Sequence, residues 1–560
     1  MPPTHNLSDY EQARAEFSWD DVYAEADWDA PADLNVGHEV VDRHATDREK
    51  VALYQVGADG DLTRLTFWEL ADRSNQFANV LDDLGVAAGE RVVSYMPRIP
   101  EHYVALVGTL KHGAVWGSVN ERYGPDGIAY RLDDCDARVV VTTTDNRDTV
   151  AAALDDAPSV EHVVTVDRGT GAPSGDVVFD TAVDDASTDY ETAATGGDDD
   201  ALLYYTSGTT GPAKGVLHEH RWIAGVAATQ RYAVDLQPGD LYWSTGDLGW
   251  LTGAINTLGA WFWGASLFTY EGEFDPETWA GLLDDYPITV LFSVPTAYRM
   301  LREHEGVLDG VDLDLRHALS IGEPLSAGVV DWGEDTLGVT ILDTYGQTET
   351  GNMVINNYPS MELRPGSMGK PLPGIDAAVV DPETGEVLPP GETGEIAQRG
   401  DYPCFFAEYW EAPEKTAACF VDGPDGEWYL SGDLAHRDED GYFWFEGRAD
   451  DVILSSGYRI GPFEVESALG EHDAVAEAAV VPKPHPERGN VVKAYVVPSE
   501  SASPSADLKS DVKAHVKERL AAHEYPREIE FVEELPKTVT GKIRRTELQD
   551  RAADEPESAE

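Results

Sequence analysis

Tyr204-Tyr-Thr-Ser-Gly-Thr-Thr-Gly-Pro-Ala-Lys-Gly215, directly after the apolar Ala201-Leu202-Leu203, decides the reading of this chain. It packs four small hydroxyls, three glycines and one lysine into a turn that leaves a strand. Glycines let the backbone approach a ligand and adopt positive φ, while the hydroxyls and successive N–H groups are donors and Lys214 adds a cation. The segment therefore suits a polyphosphate, although a Gly/Thr-rich turn taken alone serves equally as a plain loop. It is not the common nucleotide loop, because Pro212-Ala213 precede Lys214 and Gly215 follows it, which breaks the Gly-x-x-x-x-Gly-Lys-Ser/Thr spacing.

Thr206-Ser-Gly-Thr-Thr-Gly-Pro-Ala-Lys-Gly215 resembles a motif of the adenylate-forming enzymes: acyl-CoA synthetases, nonribosomal peptide adenylation domains and luciferases. Further motifs follow in that superfamily's order. They are Ile321-Gly-Glu-Pro324, Asp343-Thr-Tyr-Gly-Gln-Thr-Glu-Thr-Gly351, Tyr429-Leu-Ser-Gly-Asp433 with Gly447-Arg-Ala-Asp-Asp-Val-Ile-Leu-Ser-Ser-Gly-Tyr-Arg459, and Pro536-Lys-Thr-Val-Thr-Gly-Lys542. The resemblance runs from Leu65-Thr-Phe-Trp-Glu-Leu70 to Arg545 and is specific for the superfamily more than for the substrate.

A chain of 560 residues exceeds one core, so two or more domains are expected. Its net charge of −64 comes from 104 acidic and 40 basic residues, yet 42% of it is hydrophobic, which describes a folded protein with an acid-coated surface. That surface fits a cytoplasm of molar salt, where the Debye length falls to about 3 Å. Nucleic acid and anionic lipid are poor partners for it. Cys135, Cys404 and Cys419 show no pairing or CxxC spacing and read as buried apolar fillers. The Met1-Pro-Pro-Thr-His-Asn start carries no basic region with an apolar run, and no stretch nears 18 uninterrupted apolar residues, so a cytoplasmic protein is expected.

The chain alternates short Val/Leu/Ile runs with amphipathic stretches, predicting α/β layers with largely parallel sheets. Residues 67–84 read as a helix, 91–95 as a strand and 102–110 as the next helix. Residues 145–200 read as variable surface with one strand at 163–166, and 394–400 and 441–447 as β elements around glycine turns. Strands at 475–481, 490–497 and 529–532 with a helix at 507–523 make a small α+β domain. The expected division is a large N-terminal domain of layered α/β subdomains, 1–447, and a small mobile α+β domain, 448–560. Residues 552–560 read as a frayed tail.

Activating a carboxylate means letting its oxygen attack the α-phosphorus of ATP, so the site must neutralise phosphate and align two anions. The resemblance implies that Thr206, Ser207, Gly208, Thr209, Thr210, Gly211 and Lys214 turn with the phosphates, and that Glu349 holds Mg²⁺, a hard ion suited to a carboxylate. Gly322, Glu323 and Pro324 with Asp343, Thr344, Tyr345, Gly346, Gln347 and Thr348 are similar to the segments around adenine. Asp433 and Arg448 resemble the pair that reads the ribose hydroxyls; a structural ion pair is the competing reading, and spacing excludes neither. Lys542 would bridge carboxylate and α-phosphate, so Lys542, Thr209 and Glu349 are the catalytic set. For the second half-reaction the resemblance implies a hinge at Asp450. Ser456, Gly457, Tyr458 and Arg459 would then meet coenzyme A, with Arg488 and Arg527 as further contacts.

Acetyl-CoA synthetases carry tryptophan where Gly346 stands, and that bulk closes their acyl pocket. Glycine here implies an open pocket lined by Trp250, Gly346 and Thr348, as in the medium-chain acyl-CoA synthetases. The implied activity is an AMP-forming ligase of a medium-chain or branched acid, with ATP, Mg²⁺ and coenzyme A. Short-chain or aryl acids, loading of a carrier protein, and a catalytically silent nucleotide-binding regulator are the alternatives.

Overall fold

The computed structural model describes residues 5–25, 34–206, 213–451, 453–455, 458–485, 489–499, 502–520, 525–537 and 543–554. Two large sheets dominate. One has eight strands in the order Glu408–Tyr409, Lys214–Glu219, Asp200–Thr206, Val115–Ser118, Arg91–Tyr95, Ala137–Thr143, His162–Val166 and Val177–Val178. From Asp200–Thr206 to Val177–Val178 all neighbours are parallel. The other has nine strands, with a parallel run from Ile341–Gln347 through His317–Ser320, Val290–Ser293, Leu241–Ser244 and Ser266–Tyr270 to Val51–Val56. The alternation in the sequence thus builds the parallel layers it predicts.

Local signals set the helices between them. Phe67–Asp83 starts with a capping box, Thr66 accepting from the Glu69 N–H while the Glu69 carboxylate takes the Thr66 N–H. Its buried Phe67, Leu70, Phe77 and Leu81 recur at helical spacing and face the core. Pro100–His112 opens on proline and closes on Gly113 at φ +80°, the left-handed stop that glycine adopts without strain. This helix and Leu251–Phe262 are buried nearly all round, and the main apolar core joins them to Val92 and Trp116 of one sheet and Leu53, Leu267 and Val290 of the other.

A third sheet is antiparallel, ordered Ala377–Val380, Gly394–Gln398, Gly426–Arg437 and Phe420–Gly423, with Phe443–Arg448 also on Gly426–Arg437. After the turn Ala449–Asp451 comes a smaller sheet ordered Tyr458–Ile460, Ile453–Ser455, Gly489–Pro498 and Val475–His485, with Glu528–Phe531 on Gly489–Pro498. It has its own core around Val465, Leu469, Val480, Val492 and Val516. The chain is therefore a large N-terminal domain followed by a smaller α+β domain. No helix among the described residues is long and apolar enough to cross a membrane.

Three expectations are corrected. Residues 145–200 carry the helices Arg147–Ala153 and Phe179–Asp185 beside the strand His162–Val166, because Val150, Phe179 and Val183 bury against the cores despite the Asp-rich composition. Residues 552–554 are not frayed: Arg545–Asp554 is a helix that buries Leu548 and Ala552, and 555–560 lie outside the described residues. All three cysteines are free, and Cys135 and Cys404 are buried as expected, but Cys419 is only half-buried, next to the Tyr409 hydroxyl.

Candidate active site

The polar groups gather where the strands of the two parallel sheets end, the edge at which open α/β sheets take ligands. Asp200–Thr206 and Lys214–Glu219 form an antiparallel hairpin in which Thr206 pairs with Lys214, so the glycine-rich segment connects two strands. Ser207, Gly208, Thr209, Thr210 and Gly211 lie outside the described residues. The Lys214 ammonium sits 4.0 Å over the Tyr409 ring.

The loop after His317–Ser320 turns at Gly322, whose φ of +89° suits glycine. The Glu323 carboxylate accepts from the Thr296 hydroxyl at 2.7 Å and from Arg299 at 2.7 Å, which ties it to the helix Pro295–Glu303. On the adjacent Ile341–Gln347, Asp343 is buried and accepts the Thr344 N–H, and burial pushes its carboxyl well above the usual range. Thr344 donates its hydroxyl to the Ser320 carbonyl at 2.7 Å.

Next along the strand, the side chains reach the third sheet. The Tyr345 hydroxyl donates to Asp433 Oδ2 at 2.7 Å and Gln347 Nε2 to the same oxygen at 2.6 Å, while Arg448 donates to Asp433 Oδ1 at 3.0 Å. Asp433 and Arg448 are register partners in the antiparallel pair, so the ion pair allowed by the sequence is present. Tyr429 donates to Gln347 Oε1 at 3.0 Å. Burial raises the Tyr345 and Tyr429 phenols well above their ordinary range, keeping both protonated as donors.

Glu349 follows on the turn. Its Oε1 accepts the Tyr409 hydroxyl at 2.7 Å and its backbone carbonyl accepts the Phe406 N–H at 3.0 Å. The backbone of Thr348 lies next to the buried His218 imidazole, whose pKa burial lowers to about 3, so that imidazole is neutral.

Gly346, on the strand Ile341–Gln347, is tightly packed. A Cβ there would stand 2.0 Å from the Asn352 carbonyl oxygen and 3.1 Å from Met353 Cα. The pairing with Asn352–Asn356 shifts register between Tyr345 and Gly346, so glycine answers the close approach of a neighbouring strand. Trp250 caps the helix Leu251–Phe262, half-buried with its ring 6.0 Å from that of Tyr123. A cleft of about 600 Å³ lies elsewhere, among Gln55, Arg73, Glu101, Arg168 and Glu271, and contains none of the expected residues.

In the smaller domain, Asp450 belongs to the turn Ala449–Asp451 and Arg459 to Tyr458–Ile460, but the side chains of Asp450, Tyr458 and Arg459 lie outside the described residues, as do Ser456, Gly457, Arg488 and Lys542 altogether. Arg527 donates its N–H to the Val492 carbonyl and stands 5.3 Å over the Tyr525 ring. Tyr409 and Tyr429 are the contributors that sequence reasoning missed. Both sit in aromatic-rich stretches with Phe405, Phe406 and Phe420, where a ring reads first as core.

The comparisons accord with this arrangement. The model of the AMP-binding enzyme family matches residues 40–410 and that of the AMP-binding enzyme C-terminal domain residues 464–542. The acetyl-coenzyme A synthetase of Bacillus subtilis (strain 168) is 42% identical over 97% of this chain and 95% of its own. The mitochondrial acyl-coenzyme A synthetase ACSM4 of Homo sapiens is 39% identical over 93% and 91%. Among solved structures, the anthranilate CoA ligase AuaEII in complex with anthranoyl-AMP superposes with a TM-score of 0.86 at 31% identity, covering 94% of this chain and 98% of that one. The chain belongs to the AMP-binding enzyme family, among its AMP-forming acyl-CoA synthetases, and is a ligase.

Proposed function

We propose that this chain joins a carboxylic acid to coenzyme A in two steps, forming an acyl-adenylate with loss of pyrophosphate from ATP and then the thioester with loss of AMP. The observation that carries this reading is the convergence of Tyr345, Gln347 and Arg448 on Asp433 beside Glu349 and Lys214. Among the described residues, three of the roughly four lone-pair positions of the Asp433 carboxylate are taken, which leaves one for a ribose hydroxyl. The rings and backbone of 322–324 and 343–348 would border adenine, and residues 206–211 with Lys214 the phosphates.

Among the described residues no three His, Cys, Asp or Glu gather around one point, so a metal would rest on Glu349 together with phosphate oxygens, the donor set that Mg²⁺ accepts. Bound there, Mg²⁺ would neutralise phosphate charge. Lys542 would supply the cation between carboxylate and α-phosphate. A boundary at 447/448 with a hinge at Asp450 would then exchange Lys542 for Ser456, Gly457, Tyr458 and Arg459, with Arg488 and Arg527 toward coenzyme A.

For the acid, a medium-chain or branched aliphatic substrate is supported by the likeness to the acyl-coenzyme A synthetases, with half-buried Trp250 at a helix start as the residue that would line its pocket. Acetate is the second reading, favoured by the 42% identity to an acetyl-coenzyme A synthetase. AMP release measured over a panel from acetate to octanoate and benzoate, with and without coenzyme A, decides both questions. Release that needs an acid and coenzyme A supports the ligase; release without coenzyme A points to a carrier-loading enzyme, and none to a silent regulator. The surface charge further supports adaptation to high salt: the thermal midpoint should rise from dilute buffer to molar KCl as screening relieves repulsion, and a midpoint indifferent to KCl removes that reading.

A further inference from the structure

The segment around Tyr409 touches both charged groups that the proposed function assigns to the polyphosphate, although no nucleotide motif includes it. Glu408–Tyr409 pairs antiparallel with Lys214–Glu219, Tyr409 opposite Val216 and Glu408 opposite Leu217. Ala407 N–H donates to the Leu217 carbonyl and Trp410 N–H to that of Gly215, each at 2.8 Å, which stitches the segment to the strand that begins at Lys214. On the other side Phe406 N–H donates to the Glu349 carbonyl at 3.0 Å.

The Tyr409 side chain repeats this bridge. Its hydroxyl donates to Glu349 Oε1 at 2.7 Å, and its ring face lies 4.0 Å beneath the Lys214 ammonium. Tyr409 is itself pinned, its N–H donating to Thr416 Oγ1 at 2.9 Å. Glu349 leaves one sheet and Lys214 another, so without a brace their separation follows the relative motion of two sheets. One ring held from three sides removes that freedom.

We propose that Tyr409 is a positioning residue, fixing the Glu349 carboxylate through its hydroxyl and the Lys214 ammonium through its ring so that both address one polyphosphate. The proposal rests on the reading of Glu349 as the residue that holds the metal.

The two contacts separate by substitution. Tyr409→Phe keeps the ring and removes the hydroxyl; Tyr409→Leu removes both. In acid-dependent ATP–pyrophosphate exchange by the full chain, Tyr409→Phe should raise the free Mg²⁺ needed for half-maximal rate by about tenfold, the loss of one hydrogen bond to a charged group. KM for ATP at saturating Mg²⁺ should change little. Tyr409→Leu should raise that KM as well, by roughly three- to fivefold, as Lys214 loses its platform. In a Glu349→Gln background, Tyr409→Phe should no longer move the Mg²⁺ midpoint. Tyr409→His, which keeps a ring and a donor, should fall between wild type and Tyr409→Phe, and supplies the test should Tyr409→Phe fail to fold. An unmoved midpoint in Tyr409→Phe, or an equal shift with and without Glu349, overturns the proposal. A Glu349→Gln enzyme with the wild-type Mg²⁺ midpoint instead removes the metal reading of Glu349, and this proposal with it, a result distinguishable from silence at Tyr409 alone.

Discussion

Two polar corners flank the end of Ile341–Gln347, and they are built differently. At one, Asp433 is gripped by Tyr345, Gln347 and Arg448, and Gln347 is in turn held by Tyr429 and the Ser431 carbonyl. At the other, among the described residues, the Glu349 carboxylate takes one side-chain hydrogen bond, from Tyr409. The first corner is redundant, so losing an outer member leaves the carboxylate aimed. Among the described residues the second depends on a single phenol. On the proposed reading, the carboxylate that would meet a ribose is fixed by several partners, and the one that would share a metal with phosphates is fixed by one.

The largest effect that tests this contrast is Asp433→Ala. It removes the shared acceptor and strands Arg448, so KM for ATP should rise by about a hundredfold, near 3 kcal/mol. Titration of KM in the purified variant checks it, and a rise comparable to that of a single outer residue would mean that the corner does not converge on Asp433.

Gly346→Ala comes next, because the glycine stands between Tyr345 and Gln347 of the first corner and three residues before Glu349 of the second. Its new Cβ would meet the Asn352 carbonyl, which belongs to a paired strand and cannot swing aside, so overpacking should cost about 1–3 kcal/mol in urea unfolding. Both corners should suffer together, read as parallel rises in KM for ATP and in the Mg²⁺ midpoint. Damage to one alone would show that the strand end is not a common support.

The smallest effect belongs to Tyr429→Phe. Gln347 keeps its bonds to Ser431 and Asp433, so KM for ATP should rise by about fivefold or less. A Tyr429→Phe enzyme as impaired as Asp433→Ala would break the claim of redundancy.

Much of this was legible in residues whose local rules act alone. The helix read at 67–84, the strand at 91–95 and the helix at 102–110 form as Phe67–Asp83, Arg91–Tyr95 and Pro100–His112. The Asp433–Arg448 pair was legible as a pair because two motifs supplied its members. The third sheet's antiparallel order was not, since its strands pair across loops whose lengths carry no register signal. Tyr409 and Tyr429 were hidden for a related reason: a phenol's partner is fixed by tertiary placement, and aromatic neighbours make every ring in the stretch resemble core. The closeness of Asn352 to Gly346 was hidden too, because a glycine records that a side chain is excluded without recording what excludes it.

Tyr345 and Gln347 belong to the nine-stranded sheet, while Asp433, Arg448 and Tyr429 belong to the antiparallel one. A nucleotide gripped at that corner would therefore act as a splint across a seam between two layers. At a hundred times its dissociation constant, a ligand that binds only the folded form adds about 2.7 kcal/mol of stability. Resistance to proteolysis along that seam would then depend on cellular energy charge, making the enzyme's lifetime as well as its rate a function of the ATP around it.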